Sequence, residues 1–245
     1  MKAVLFGATK GMGRSLARQL AARGDQLFLL GRDRDDLERS AADIGIRGSG
    51  SEVGFAVCDL EDSATFAAAL DAADAKLGGF DTVIVTAGLF ATQDALEADI
   101  ALAERLLRVD FTNTVIFCEH ARKRLLARGG GVLCVFTSVA GDRGRKPVAI
   151  YGAAKAGLSR YLEALDHKFR SQGLATIDVK PGFVKTGMTA GLKPPPFAGE
   201  PDAVAARVIR AIEKRQPLVY APFPWRWVML AIRCLPRFVM RRIGF

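Results

Sequence analysis

The sequence is poor in the residues that staple or metallate a fold. Four cysteines (Cys58, Cys118, Cys134 and Cys234) and two histidines (His120 and His167) are scattered over 245 residues with no C-x-x-C spacing. That pattern argues against a disulfide framework and a zinc site, so no metal is expected, and it suits a reducing cytoplasm. The amino terminus carries no basic leader followed by an apolar core, so export is not expected. Acidic residues are scarce at the other end: residues 203 to 245 hold nine of the 35 Lys and Arg but one of the 26 Asp and Glu, Glu213. Eight of the nine net positive charges therefore lie in residues 203 to 245, and such asymmetry points to an acidic partner surface.

What is present is enough apolar material for one sizeable core, half of all residues being hydrophobic. Apolar runs of strand length recur at Ala3–Phe6, Leu27–Leu30, Val53–Val57, Thr82–Val85, Val132–Phe136, Ala175–Val179 and Leu218–Tyr220. Segments of helical spacing separate them. Uninterrupted apolar strands alternating with amphipathic helices predict a Rossmann-type α/β fold: a doubly wound parallel sheet, three layers, a single domain. The boundaries expected are a body over 1–221 and a basic amphipathic tail over 222–245. Between Gly191 and Pro201 the prolines forbid regular helix, so a loop that covers a site is expected there.

The first strand runs into "GATKGMG", with glycines at Gly7, Gly11 and Gly13, and a helix is expected over Ser15–Arg23. Glycines let backbone approach closely, and the free N–H groups of a helix start attract a pyrophosphate. A turn that merely needs glycine would look similar. In this setting the loop resembles that of the short-chain dehydrogenase/reductase family, T-G-x-x-x-G-x-G, with Phe6 in place of the threonine. The resemblance extends in order over residues 1 to about 220 and implies a nicotinamide dinucleotide, cradled by Gly7, Thr9, Lys10, Gly11, Met12 and Gly13.

Several later stations follow. Arg32 ends the second strand where an NAD-binding protein places an acid, and with Lys10 it favours a 2′-phosphate, hence NADP(H). Arg14 offers a third cation, while Asp33 is a competing carboxylate that reads equally well as a helix N-cap. By resemblance Asp59 and Leu60 meet the adenine, Ala87 and Gly88 belong to the family's N-A-G element (Thr86 replacing its asparagine), and Pro181, Gly182, Val184 and Thr186 orient the nicotinamide.

The chemical group is Ser138, Tyr151 and Lys155. Tyrosine and lysine four apart share a helix face, and a nearby ammonium favours ionisation of a phenol whose ordinary pKa is about 10. The family resemblance implies that Tyr151 protonates the substrate oxygen, that Ser138 hydrogen-bonds that oxygen, and that Lys155 holds the nicotinamide ribose and lowers the tyrosine pKa. The family's fourth catalytic position is an asparagine serving through its carbonyl. Here Asp110 stands at that station, with Asn113 three residues on. An aspartate keeps the carbonyl but can also pair with Lys155 and blunt its effect.

The tail, "YAPFPWRWVMLAIRCLPRFVMRRIGF", sets Arg226, Arg233, Arg237 and Arg241 on one arc of an ideal helix, among large apolar residues. Trp227–Ile232, six residues between arginines, is too short to span a bilayer. The pattern predicts a helix, or a helical pair bent at Pro236, lying on the inner face of a membrane, or else packed on the body or on a second subunit. With "GDRGRK", "GAAKAGL" and "KTGMTAGLK", it is similar to the ending of decaprenylphosphoryl-2-keto-pentose 2-reductases, which implies a lipid-linked keto sugar as substrate. A 3-ketosphinganine-like reductase or a soluble alcohol dehydrogenase fits the same features, as does a silent NADP-binding sensor. Nucleic acid is not expected as a partner; a homo-oligomer is, with Gly152, Ala153 and Ala156 permitting close helix packing.

Overall fold

The computed structural model describes residues 1–48 and 53–244; Phe245, the last residue of the expected tail, lies outside them. Seven parallel strands form one sheet: β1 (Lys2–Phe6), β2 (Gln26–Gly31), β3 (Gly54–Val57), β4 (Thr82–Val85), β5 (Gly131–Phe136), β6 (Leu174–Pro181) and β7 (Leu218–Ala221), in the order β3-β2-β1-β4-β5-β6-β7. Each strand agrees with an expected apolar run to within one or two residues. Val53 alone of the expected strand residues stands just outside its strand.

The alternation of side chains along each strand sorts the core into two faces. Ala3 and Leu5 of β1, with Val132, Cys134 and Phe136 of β5, pack into one cluster against α1 (Gly11–Ala22), α2 (Arg34–Arg47) and α8 (Pro201–Glu213). Val4 and Phe6, with Leu133 and Val135, pack into another. That second cluster lies against α3 (Thr65–Leu77), α6 (Thr114–Ala127) and α7 (Ala149–Phe169). Removing a leucine such as Leu5 or Leu133 from water contributes about 1.5–3 kcal/mol. Two covered faces explain why these strands are apolar throughout rather than alternating.

Local chemistry sets several boundaries. Asp33 caps α2, its carboxylate accepting from the Asp36 N–H at 2.8 Å, so the capping role is occupied. Helix α1 begins at Gly11, four residues before the expected start, because the glycine loop turns directly into it. Two short helices, α4 (Gln93–Ala98) and α5 (Ile100–Leu107), precede a π-helical turn over Arg108–Asn113.

The tail folds as α9 (Trp225–Cys234) and α10 (Arg237–Met240), with extended backbone at Leu235 and Pro236 between them. The bend at Pro236 is therefore present, and it breaks the continuous helix on which the single arginine arc depended. Met229 and Ile232 are buried against Val139 and Tyr220, so α9 packs on the body. Arg143 donates to the Leu235 carbonyl at 2.8 Å and Lys146 to that of Arg241 at 2.7 Å. No helix among the described residues is long and apolar enough to cross a membrane. Gly152 also packs within the chain: a Cβ there would lie 2.8 Å from the Ala140 carbonyl oxygen.

Candidate active site

The strand order reverses between β1 and β4, and a crevice of about 360 Å³ opens at their carboxyl ends. Gly7 has φ +97°, and a Cβ on Gly13 would stand 2.1 Å from the Gly7 carbonyl oxygen, so the loop closes only with glycine at both positions. Thr86, in place of the family asparagine, fastens this turn by donating to the carbonyls of Gly7 (3.0 Å) and Phe6 (3.2 Å). The loop residues Thr9, Lys10, Gly11 and Met12 line the crevice, as do Arg32, Asp59, Leu60, Ala87, Gly88 and Thr186. Glycine turn, helix start and cavity together fit a dinucleotide.

The cations beside this loop are less free than the sequence implies. Lys10 pairs with Asp36 at 2.9 Å, and Arg32 faces Glu61 at 3.8 Å. Glu61 is itself gripped by Arg105 at 2.9 Å, and that contact holds its carboxyl below the ordinary range. Arg14 does not line the crevice; its Nε donates to the Thr9 carbonyl at 2.8 Å and braces the loop. Glu61, a wall of the crevice, went unforeseen because nothing in "CDLED" says that the carboxylate after Leu60 turns toward Arg32. Asn113 is structural: it donates to the Leu60 carbonyl at 2.7 Å.

A second cavity of about 530 Å³ adjoins the first, sharing Met12, Thr86, Gly88, Leu89 and Thr186 with it. Ser138, Tyr151 and Lys155 meet in its wall, with Pro181, Gly182 and Val184. Helix α7 presents Tyr151 and Lys155 on one side, the Lys155 ammonium 5.6 Å from the phenol ring centroid. Phe90 meets the same ring edge-on at 5.2 Å. Ser138 lies two residues beyond β5 and caps the following turn by accepting from the Ala140 N–H at 3.0 Å. Two buried carboxylates hold that turn: Asp142 takes Lys180 and the Tyr220 hydroxyl, and Asp178 takes Thr137 and Ser159.

Asp110 is fully buried in the π-helical turn, an irregularity often found at functional sites. One carboxylate oxygen accepts from the Leu89 N–H at 2.7 Å, and the other lies 3.4 Å from the Lys155 ammonium. Of the two expectations for this residue, pairing with Lys155 is realised. Gly88 sits over the pair, where a Cβ would come within 3.0 Å of Asp110. Burial raises the Asp110 pKa, against the opposing pull of Lys155. Burial works to lower that of Lys155, but the charges of Asp110 and Tyr151 outweigh it and the ammonium is held more firmly. The Tyr151 phenol is raised by burial; Lys155 and Ser138 pull it down, while Asp110 pushes it further up. The lysine therefore acts in the expected direction, but burial outweighs it and sets the net shift.

The far wall is apolar and includes the tail: Trp225, Val228 and Ile232 of α9 line the cavity, as do Leu192 and Pro195 of the proline-rich loop. The indole of Trp225 fills the place of a side chain on Gly182, and its Nε1 donates to the Phe197 carbonyl at 3.0 Å. The sequence marks the tail as basic and apolar; that it finishes the pocket follows only from its packing.

Comparison with known proteins accords with this geometry. The short chain dehydrogenase family profile matches residues 1–196. An uncharacterised oxidoreductase of Mycobacterium tuberculosis is 34% identical over 241 residues, 98% of this chain and 96% of its own. Cis-4-hydroxycyclohexanecarboxylate dehydrogenase of Sinomonas cyclohexanicum is 30% identical over 193 residues, 78% of this chain and 76% of its own. Among solved structures, a single-substitution variant of actinorhodin polyketide ketoreductase with NADPH superposes with a TM-score of 0.80 at 22% identity, covering 89% of this chain and 94% of that one. The chain belongs to the short-chain dehydrogenase/reductase family, oxidoreductases that bind a nicotinamide cofactor and act on CH–OH/C=O groups.

Proposed function

We propose that the protein is an NADPH-dependent ketoreductase for a bulky hydrophobic carbonyl substrate, lipid-linked keto sugars included. The observation that carries this reading is that two cavities meet at Met12, Thr86, Gly88, Leu89 and Thr186, one shaped for a dinucleotide and the other walled largely by apolar side chains with Tyr151 and Lys155 in its lining. Arg32 and Lys10 support the 2′-phosphate: each faces a carboxylate across an exposed pair, which is weak enough for a phosphate dianion to displace. Gly7, Gly11 and Gly13 would hold the pyrophosphate, Asp59 and Leu60 the adenine, and Lys155 with Pro181, Gly182, Val184 and Thr186 the nicotinamide end.

When bound there, the reduced nicotinamide supplies a hydride. Tyr151 donates its proton to the carbonyl oxygen as negative charge develops on it, and Ser138 steadies that oxygen by hydrogen bonding. Lys155 stabilises the phenolate left behind, and Asp110 keeps Lys155 charged. Phe90, Trp225 and the loop with Leu192 exclude water from the reacting atoms.

The test is NADPH consumption with a panel of long-chain ketones and Tyr151→Phe beside the parent. Reduction by the parent and a loss of 10²–10⁴-fold in the variant, with cofactor binding retained, is expected. Tight NADPH binding with no ketone reduced would instead identify a cofactor-binding sensor. Apolar side chains exposed at the cavity rim and along the tail (Met188, Phe197, Trp227, Leu230 and Phe238) beside exposed Arg226, Arg237 and Arg241 support peripheral contact with an anionic membrane. Ile100 and Ile116, exposed on α5 and α6, support a homo-oligomer.

A further inference from the structure

The substrate cavity contains a cation with nothing to pair with. Arg145 lines it six residues before Tyr151, ahead of the turn that leads into α7. Its Nε is buried without a hydrogen-bond partner, and no ion pair of its guanidinium is found among the described residues. The nearest carboxylate to influence it is Asp142. Both oxygens of Asp142 are already engaged, one by the Lys180 ammonium and the other by the Tyr220 hydroxyl at 2.9 Å. Burial accordingly lowers the Arg145 pKa, with Asp142 opposing only in part.

An unpaired guanidinium against apolar walls is costly, and a protein that merely needed the space filled would use an apolar residue there. The neighbouring arginine shows the contrast, since Arg143 is satisfied by the Leu235 carbonyl at 2.8 Å. Lys155 is the other cation in the cavity wall, and Asp110 neutralises it. The lining of the cavity otherwise includes the apolar Val139, Val148, Val228 and Ile232 and several hydroxyl side chains, but no carboxylate among the described residues. What completes such a site is a group with two or three anionic oxygens, which a planar guanidinium grips in bidentate fashion, attached to something that the apolar wall can hold.

We propose that Arg145 binds an anionic group of the substrate, so that the enzyme prefers ketones whose apolar chain carries a phosphate or carboxylate. This deepens the ketoreductase reading and rests on it for the word substrate, but the anion site is measurable without turnover. On full-length protein saturated with cofactor, isothermal titration compares octyl phosphate, octanoate, octanol and inorganic phosphate. Octyl phosphate and octanoate are expected to bind at least tenfold more tightly than octanol, and inorganic phosphate at least tenfold more weakly than octyl phosphate. Arg145→Met is expected to erase the preference over octanol without lowering octanol affinity or the thermal midpoint, which rises if anything because an unpaired charge is removed, while Arg145→Lys retains part of the preference.

Equal affinity of the parent for octyl phosphate and octanol would overturn the proposal, as would a preference that survives Arg145→Met. Inorganic phosphate binding as well as octyl phosphate would overturn the coupling of anion and chain. Tyr151→Phe separates the two readings, since it is expected to keep the anion preference. Absence of ketone reduction alongside an intact preference removes the ketoreductase reading alone.

Discussion

Asp110 departs from the asparagine that the family resemblance implies at this station, and its effect has a sign. In the proposed mechanism reduction needs the Tyr151 phenol protonated, so activity is expected below the phenol's pKa and is lost as pH rises through it. Burial and Asp110 raise that pKa, while Lys155 and Ser138 lower it. Asp110→Asn removes one raising influence and keeps an acceptor for the Leu89 N–H. Its alkaline limb of kcat/KM is therefore expected at lower pH than the parent's, with turnover retained or raised. A limb that stays in place or moves upward would show that Asp110 does not act through the phenol. Arg32→Asp is expected to move the NADPH/NADH ratio of kcat/KM toward NADH by at least tenfold, since it sets a carboxylate beside Glu61 where the 2′-phosphate is proposed to lie. An unchanged ratio would remove Arg32 from that role. The clustering of the proposed catalytic residues was legible because their relations are local: Tyr151 and Lys155 are one helical turn apart, and the glycines follow one another around a single bend. Glu61 and Asp36 were not, because their importance lies in facing Arg32 and Lys10 across strand ends that only the folded sheet brings together.

Among the elements, α9 carries the least foreseen role. Its amphipathic pattern predicted a buried or membrane-facing stripe, and periodicity alone does not say which surface receives that stripe. The structure sets Met229 and Ile232 on Val139 and Tyr220, which places Trp225 and Val228 in the wall of the cavity beside Tyr151. Met229→Ala is expected to cost about 2–5 kcal/mol by leaving a cavity under the helix, measured as a lowered unfolding free energy in denaturant. Trp225→Ala releases the indole from Gly182 and from the Phe197 carbonyl. It is expected to raise KM for a long-chain ketone about tenfold while a small water-soluble ketone is hardly affected. Equal losses on both substrates would mean that α9 supports the catalytic residues rather than the pocket. The strands, by contrast, were readable almost to the residue, because a sheet covered on both faces writes itself as unbroken apolar runs.

For the whole molecule, charge and apolar exposure coincide at one end. Trp227, Leu230 and Phe238 are 57%, 48% and 62% exposed, and Arg226, Arg237 and Arg241 lie exposed among them. If this end rests on a membrane, full-length protein is expected to sediment with phosphatidylglycerol vesicles at low salt and to be released as salt rises. The triple change Trp227→Ser, Leu230→Ser, Phe238→Ser should abolish the partition without changing reduction of a soluble ketone. Partition equal in parent and variant would assign the exposed residues to another surface.

Because α9 supplies part of the pocket, synthesis of the enzyme has an order. A nascent chain released up to β7 already owns the glycine turn, the phenol and the lysine, yet its reaction chamber lacks a side. On the proposed reading, water is excluded only once the segment carrying α9 has been made and has docked, so a product truncated after β7 is expected to bind coenzyme yet to spend little of its reducing power on any ketone.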